Sequence, residues 1–274
     1  MGVINLTPNS FYSQSIKQTD DDIVDTARKM EREGADIIDL GARSTAPYRK
    51  SEVPPKVEAK LLAHAVRLLV DKVKLPISAD TTRLMAAEAA VSEGALILND
   101  AYGLTQPDRV GLAKLVASEG LSVIITAHEQ RQRATGDPVQ RVRTAIQKSL
   151  DLATSLGIEE SKITIDPGIG FFSDDLISNE EWNCTILNRL AELREFKRPV
   201  CVGVSRKKFI GTLTGGKDAK DRLVGSIAAT AIAVYNGAHV IRTHDVAETL
   251  DAVRIAGAIK EKSLSQQRIF RLKQ

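Results

Sequence analysis

The polar residues that end eight short apolar runs are the part of this sequence best equipped for chemistry. Each run is rich in Ile, Val or Leu and turns polar at its last residues. A single such residue is explained as a helix cap or a turn, but burying the whole set together costs free energy unless a ligand satisfies it. In chain order the set is Asn5; Arg43, Ser44 and Thr45; Asp80; Asn99; His128; Asp166; Ser205, Arg206, Lys207 and Lys208; Arg242 and His244.

Part of this set suits a flat, nitrogen-rich ring. Asp80, Asn99 and Asp166 can exchange hydrogen bonds with the edge of such a ring, and a carboxylate matches an amino-pyrimidine edge at two points. Phe171 could cover the face of the ring. Asp166 has a second interpretation, because an Asp before Pro-Gly, as in IDPGIGFF, can simply begin a turn.

The remaining residues suit an anion. Cations together with a neutral oxygen ligand favour a diphosphate and a hard metal such as Mg²⁺, which takes few protein ligands and keeps waters. A ring site beside a diphosphate site predicts a leaving group attached to a heterocycle. The residues predicted to form the anion site are Arg206, Lys207, Arg242, His244 and Asn5.

Alternating strands and helices must position these residues. Glycines at positions 34, 94 and 120 predict the ends of helices between the apolar runs. Eight strand-then-helix units predict a single α/β domain over residues 1–274, a (β/α)₈ TIM barrel with its chemistry at the carboxyl ends of the strands. The alternative is an open doubly wound sheet, which the absence of GxGxxG after the first run disfavours. The predicted strands lie within residues 3–6, 35–42, 75–80, 95–100, 121–128, 162–168, 198–205 and 238–244, and a basic tail that could fray follows residue 261.

Composition excludes several classes of protein. With 43% hydrophobic and 27% charged residues the chain is globular, and a net charge of +3 gives no argument for nucleic acid. No apolar run reaches the length of a membrane span, so no membrane partner is expected. Two cysteines without CxxC spacing predict a protein of the reducing cytoplasm.

Seven segments in order resemble the signature segments of the dihydropteroate synthase family. They are NLTPNSF, ADIIDLGARSTAP, ISADTTR, LILNDAYG, IDPGIGF, GVSRKKFIG and IRTHDV, and they cover residue 1 to about residue 255. The resemblance implies a TIM barrel, usually a homodimer. It also implies a transferase that joins a dihydropterin methyl diphosphate to 4-aminobenzoate and releases pyrophosphate.

The same resemblance implies individual roles. Asp80, Asn99, Asp166 and Lys207 would hold the pterin, and Asn5 would meet a Mg²⁺–diphosphate. Diphosphate would be held, as it leaves, by Arg242 and His244. The residues expected to be catalytic are Asp80, Lys207, Arg242 and His244.

The sequence departs from the family where the arylamine should bind, a site expected to include Arg43, Ser44, Thr45, Pro47 and Lys208. The family usually has other residues at the positions of Asn9, Arg43, Ala46, Tyr48, Phe172, Ser173 and Lys208. One hypothesis is drift with 4-aminobenzoate retained. The other is a phosphorylated ribofuranosyl-aminobenzene, as in methanopterin biosynthesis. The extra cations Arg43, Arg49, Lys50 and Lys208 would meet its phosphate. The STAPY loop resembles archaeal relatives.

Two other functions stay open. Pterin-binding barrels also serve as methyltransferases that move a methyl group from a reduced folate to a corrinoid protein. A pterin-binding protein without catalysis is the remaining alternative. The retained SRK and RTH cations argue against both, because neither function needs a diphosphate clamp.

Overall fold

Eight strands alternate with helices along the chain. The computed structural model describes residues 1–7, 19–44, 53–129, 136–172, 174 and 176–271, with side chains to residue 262. The strands are β1 (Gly2–Asn5), β2 (Ile38–Gly41), β3 (Ile77–Asp80), β4 (Ile97–Asp100), β5 (Ser122–Thr126), β6 (Ile163–Asp166), β7 (Cys201–Val202) and β8 (Val240–Ile241). Seven of them lie inside the predicted runs, and β1 begins one residue before its run, which was predicted from residue 3.

The helices fill the connections between strands. They are α1 (Asp20–Arg32), α2 (Pro55–Leu69), α3 (Leu84–Ser92), α4 (Arg109–Ser118), α5 (Pro138–Ser155), α6 (Asn179–Asn188), α7 (Lys208–Leu213), α8 (Leu223–Asn236) and α9 (Val246–Arg271). Helices α1, α3 and α4 end just before the glycines that predicted their ends, and all three glycines have positive φ. The tail after residue 261 continues α9 as helix up to Arg271.

The strands are parallel and follow one another in chain order. Strands β1 to β6 form one sheet, and β7 pairs with β8. Parallel bridges connect the two sheets at both edges, one between Ile165 and Val200 and one between Gly2 and Thr243. The fold is therefore the (β/α)₈ barrel that the strand count predicts.

Apolar packing between strands and helices holds the barrel together. On α1 the buried residues are Ile23, Ala27 and Met30, spaced so that one face meets the strands. Leu40 on β2 and Ile165 on β6 are fully buried, as expected for parallel strands covered by helices. None of the helices in the described ranges is long and apolar enough to cross a membrane.

Candidate active site

Strand register aligns the residues near the carboxyl ends of β1 to β4 in one row. Asn5 pairs with Gly41, Gly41 with Asp80, and Asp80 with Asn99 across β1 to β4. Gly41 has no side chain, and a Cβ there would lie 3.7 Å from the Asn5 Oδ1 and 3.6 Å from the Asp80 Oδ2. The side chains of Asn5 and Asp80 therefore lie close together at the carboxyl ends of the strands.

Asp39, in the middle of β2, is a site residue that the sequence analysis missed. Its side chain is fully buried, and it accepts hydrogen bonds from the Ser78 hydroxyl at 2.6 Å and the Asn99 Nδ2 at 3.2 Å. The Arg242 Nε donates at 2.7 Å to Oδ2, the same oxygen that accepts from Asn99. An acid within the apolar run ADIIDLGA was the signal that could have found it.

Arg242 joins two carboxylates at the centre of the site. Besides Asp39, its Nη2 donates to the Asp80 Oδ2 at 2.7 Å. The other Asp80 oxygen, Oδ1, is buried and has no hydrogen-bond partner among the described residues. A buried acceptor without a partner costs free energy, so this oxygen is available to a donor on a ligand.

Burial disfavours negative charge on the carboxylates of Asp80 and Asp166. It raises the pKa of Asp80 to about 7, while Arg242 opposes the rise and Asp39 adds to it. Burial also raises the pKa of Asp166, against the opposing effects of the Gly168 amide and Lys207. Perturbed carboxylates grouped at strand ends are typical of functional sites.

The structure shows the turn at Asp166, which is one of the two interpretations of this residue. Its Oδ1 accepts a hydrogen bond of 2.7 Å from the Gly168 amide, so the residue does begin a turn. Gly168 has a φ of +73°, and a Cβ there would lie 2.6 Å from the Ala127 carbonyl oxygen. Only glycine fits this tight turn, which brings Phe171 back towards the pocket.

Lys207 lies near the carboxylates of Asp80 and Asp166 and beside the ring of Phe171. Its ammonium lies 4.7 Å from the centre of the Phe171 ring. Burial lowers the pKa of Lys207 to about 8, and the neighbouring charge of Arg242 contributes to the shift, while Asp166 and Asp80 oppose it. The structure thus brings Asp80, Asp166, Phe171, Lys207 and Arg242 together in one cluster.

Arg206 is buried, and its guanidinium forms hydrogen bonds to other groups of the protein. Its Nε and Nη2 donate to the two oxygens of Asp245 at 2.8 and 2.7 Å, and its Nη1 donates to the carbonyls of Ala219 and Lys220. The backbone at Arg206 has a φ of +56°, a strained conformation for a residue with a Cβ. These contacts fix the turn that precedes Lys207, a role different from the predicted contact with diphosphate.

His244 lies beside this turn. Its Nδ1 is 2.9 Å from the Ser205 hydroxyl oxygen. Burial, together with the positive charges of Arg242, Arg206 and Lys207, lowers the pKa of His244 to about 3. The ring is therefore neutral at pH 7, and a bound anion would raise that pKa.

The residues predicted for the arylamine are only partly within the described chain. Arg43 donates to the buried Glu58 carboxylate at 3.2 Å and to the Thr82 hydroxyl at 2.7 Å. Lys208 is exposed at the first turn of α7. Ser44 is half-buried after β2. Asn9, Thr45, Ala46, Pro47, Tyr48, Arg49, Lys50 and Ser173 lie outside the described residues.

Comparison with known proteins places the chain in a family. Residues 1–244 match the model of the pterin binding enzyme family. The dihydropteroate synthase of Escherichia coli (strain K12) is 34% identical over 265 residues, which cover 94% of this chain and 90% of that protein.

Solved structures agree with this assignment. A Coxiella burnetii dihydropteroate synthase in complex with pteroic acid superposes with a TM-score of 0.84 at 33% identity, over 94% of this chain and 92% of that one. The Xanthomonas albilineans dihydropteroate synthase with 4-aminobenzoic acid gives a TM-score of 0.83 at 33% identity, with the same coverage of 94% and 92%.

The chain belongs to the pterin-binding enzyme family. Within that family its relatives are dihydropteroate synthases, and the chain is an enzyme of this transferase type.

Proposed function

We propose that this enzyme joins a dihydropterin methyl diphosphate to 4-aminobenzoate in folate biosynthesis and releases pyrophosphate. The single observation that carries the proposal is the Asp80 carboxylate. One of its buried oxygens lacks a protein partner, while the other accepts from Arg242. A ring N–H would satisfy the first oxygen, and the arginine would face the leaving diphosphate.

The proposed reaction breaks one bond and forms another. The C–O bond between the pterin methylene and the diphosphate breaks, and the electron pair leaves with the diphosphate. Arg242 and Lys207 stabilise the developing negative charge, and His244 donates a hydrogen bond to it. The arylamine nitrogen then attacks the electron-poor methylene and loses a proton to solvent. Asp80 and Asp166 hold the pterin ring and stabilise positive charge on it.

Mg²⁺ is part of this proposal, and Asn5 is its proposed protein ligand. No cluster of three or more His, Cys, Asp or Glu residues that could hold a metal ion occurs in the described part of the chain. One neutral amide oxygen from the protein fits Mg²⁺ whose other ligands would be a diphosphate and waters. When bound, the ion would neutralise charge on the diphosphate.

The geometry of Arg43 favours 4-aminobenzoate over a phosphorylated amine. A phosphorylated amine would need unpaired cations near the second substrate. Arg43 instead forms an ion pair with Glu58, a carboxylate with no exposed side-chain surface. Glu58 also pairs with Arg83 at 2.8 Å, and this group holds the loop after β2 against α2. Arg43 is therefore not an unpaired cation.

The test is a turnover assay with two amines. Purified protein, Mg²⁺ and dihydropterin methyl diphosphate are incubated with either 4-aminobenzoate or the ribofuranosyl-aminobenzene phosphate, and pyrophosphate and pteroate-type product are followed. Product with 4-aminobenzoate is expected. Product mainly with the phosphorylated amine would overturn the assigned substrate. Pterin binding without pyrophosphate release would favour the methyltransferase or the non-catalytic alternative.

The pH dependence of kcat/KM for the pterin diphosphate is expected to be bell-shaped. Activity should rise as pH increases towards about 7, because Asp80 must ionise to accept ring N–H groups. It should fall above about 8, because Lys207 then loses its positive charge. Initial rates between pH 5.5 and 9.5, at low substrate, give this profile.

A matched variant identifies the alkaline limb of that profile. Lys207→Arg keeps a positive charge at every pH used, since a guanidinium does not deprotonate in this range. Its alkaline limb should move upward by at least about one pH unit while the acid limb stays in place. An unchanged alkaline limb would contradict the role given to Lys207.

Homodimer formation through α8 and α9 also belongs to the proposal. The exposed apolar residues Val224, Ile232 and Tyr235 share one face of α8, and Ile255 and Ile259 are exposed on α9. The two helices are neighbours, joined where the Lys260 ammonium donates to the Val234 carbonyl at 3.1 Å. A continuous apolar face of this kind is typical of an interface.

Ile232→Asp is expected to convert the dimer to a monomer. In a two-fold interface the new charge appears on both subunits, so it should weaken association by at least about 100-fold. Sedimentation velocity measures the change. Met85→Asp places the same charge on an exposed apolar residue of α3 and should leave the dimer intact. A monomeric wild-type protein, or a dimeric Ile232→Asp variant, would contradict this interface.

The cytoplasm is the proposed location. Both cysteines are free thiols, Cys184 exposed and Cys201 buried. Free thiols persist most readily in a reducing compartment.

A further inference from the structure

A buried arginine joins two loops at the carboxyl ends of the strands. Arg141 lies in the first turns of α5, and only 9% of its side chain is exposed. Its Nε donates to the Glu129 Oε2 at 3.1 Å, in the loop after β5. Its Nη1 donates to Asp174, whose side chain is almost fully buried, in the loop after β6.

The same guanidinium covers an aromatic pair. Its central carbon lies 4.5 Å from the centre of the Trp182 ring, at the start of α6. Trp182 is buried, and its ring stacks on Phe172 with centres 5.1 Å apart and an angle of 17° between planes. We call Arg141, Glu129, Asp174, Trp182 and Phe172 the loop clamp.

The loop clamp is continuous with the active site through the chain itself. Phe172 follows Phe171, whose ring lies against the Lys207 ammonium. The Gly170 amide donates to the Asn183 Oδ1 at 2.7 Å, which ties the same turn to α6. A Cβ on Gly168 would lie 3.2 Å from the Phe172 ring, so Phe172 packs under the turn that Asp166 begins.

We propose that Arg141 is a positioning residue for the pterin: through Asp174, Trp182 and Phe172 it holds Phe171 where the ring must stack. This inference rests on the proposed function. Asp166 begins the turn under which Phe172 packs, so the loop clamp also supports the carboxylate proposed to read the ring edge. None of the residues of the loop clamp belongs to the site expected for the arylamine.

The chemistry of the loop clamp argues for positioning rather than for stability alone. A buried arginine with two carboxylates carries a large desolvation cost, and apolar residues of similar volume often stabilise a core as well or better. Directional contacts to two separate loops instead select one loop arrangement. Preformed geometry around the pterin ring is worth a large rate factor, because small misplacements of its reacting methylene are costly.

The primary test compares two arginines on the same helix. Arg141→Met is expected to raise the dissociation constant of the pterin diphosphate about 10-fold or more, while KM for 4-aminobenzoate at saturating pterin changes less than about 3-fold. Arg143→Met is the control, because Arg143 pairs with Glu195 on the surface. It should leave both parameters unchanged.

A milder variant covers the case in which Arg141→Met does not fold. Asp174→Asn keeps the oxygen that accepts from the Leu176 and Ile177 amides but weakens the pairing with Arg141. It should change the two substrates in the same unequal way by a smaller factor. Equal losses for pterin and amine, or no loss for the pterin, would overturn the proposal in either variant.

Trp182 supplies a readout that does not depend on turnover. It is the chain's single tryptophan, so fluorescence emission reports the loop clamp directly. The emission maximum should move to longer wavelength in Arg141→Met and stay in place in Arg143→Met. If the wild type makes no product, the proposed function fails, and the proposal about Arg141 is then judged by equilibrium binding of the pterin diphosphate. Unchanged Trp182 emission in a folded Arg141→Met protein overturns it.

Discussion

Asp80→Asn is expected to lower kcat/KM for the pterin diphosphate by about 10³-fold without lowering the melting temperature. Asparagine preserves the shape of the side chain but removes the charge that meets the ring and Arg242. Losing one charge-assisted contact aimed at a reacting group typically costs about 3–4 kcal/mol of transition-state stabilisation, which corresponds to this factor.

The stability half of this prediction follows from the raised pKa of Asp80. Its folded-state pKa is about 7 and its model value is 3.8, so between these values the folded state binds more protons than the unfolded state. Stability from this group is therefore present below pH 3.8 and is lost as pH rises through about 7. Asparagine does not titrate, and this loss should be absent in the variant.

Calorimetry and kinetics at the same pH values test both halves. The difference in melting temperature between variant and wild type should increase from pH 5 to pH 8 in favour of Asp80→Asn. Activity should stay low throughout. A variant that is inactive because it is unfolded would contradict the separation of the two effects, as would one that retains near-normal kcat/KM.

Much of the site follows from reading the end of each strand. In a parallel barrel all carboxyl ends meet at one face, so residues far apart in sequence become neighbours by register alone. Asn5, Asp80 and Asn99 illustrate this, because the pairings across Gly41 place them in one row. The fold was predictable for the same reason: each strand is a short apolar run bounded by a helix-length connection.

Side-chain pairing could not be read from strand ends. Asp39 lies inside β2, not at its end, so a search of strand ends passes over it although it holds Asn99 and Arg242. Arg206 does follow a strand, but its conformation turns its guanidinium towards Asp245. Sequence supplies the residue types, whereas the direction of each side chain depends on backbone angles and partners from distant segments.

Arg43 shows that substrate specificity also depends on side-chain pairing that the sequence does not reveal. In the sequence it stands where the family usually has another residue, which suggested an extra cation for the second substrate. In the structure its partner is Glu58 on the following helix, fifteen positions later in the sequence. A change of charge in a loop therefore says little about a ligand until the neighbouring buried charges are known.

Arg242→Met is expected to be the most damaging single substitution in the site. It leaves the carboxylates of Asp39 and Asp80 buried without their common partner, since both accept from this guanidinium at 2.7 Å. Breaking a buried ion pair by removing one member typically costs about 3–5 kcal/mol of folding free energy. Loss of charge stabilisation on the leaving diphosphate should also lower kcat/KM by about 10³-fold or more.

A second substitution separates the two losses. Adding Asp39→Asn to Arg242→Met removes one unpaired buried charge while keeping an acceptor for Ser78. Urea unfolding should show that the double variant regains part of the lost free energy of unfolding. Its kcat/KM should remain as low as that of Arg242→Met, because no cation has been restored near the diphosphate. Recovery of activity together with stability would instead mean that Arg242 acts by holding Asp39 and Asp80 in place, and that other cations carry the leaving charge.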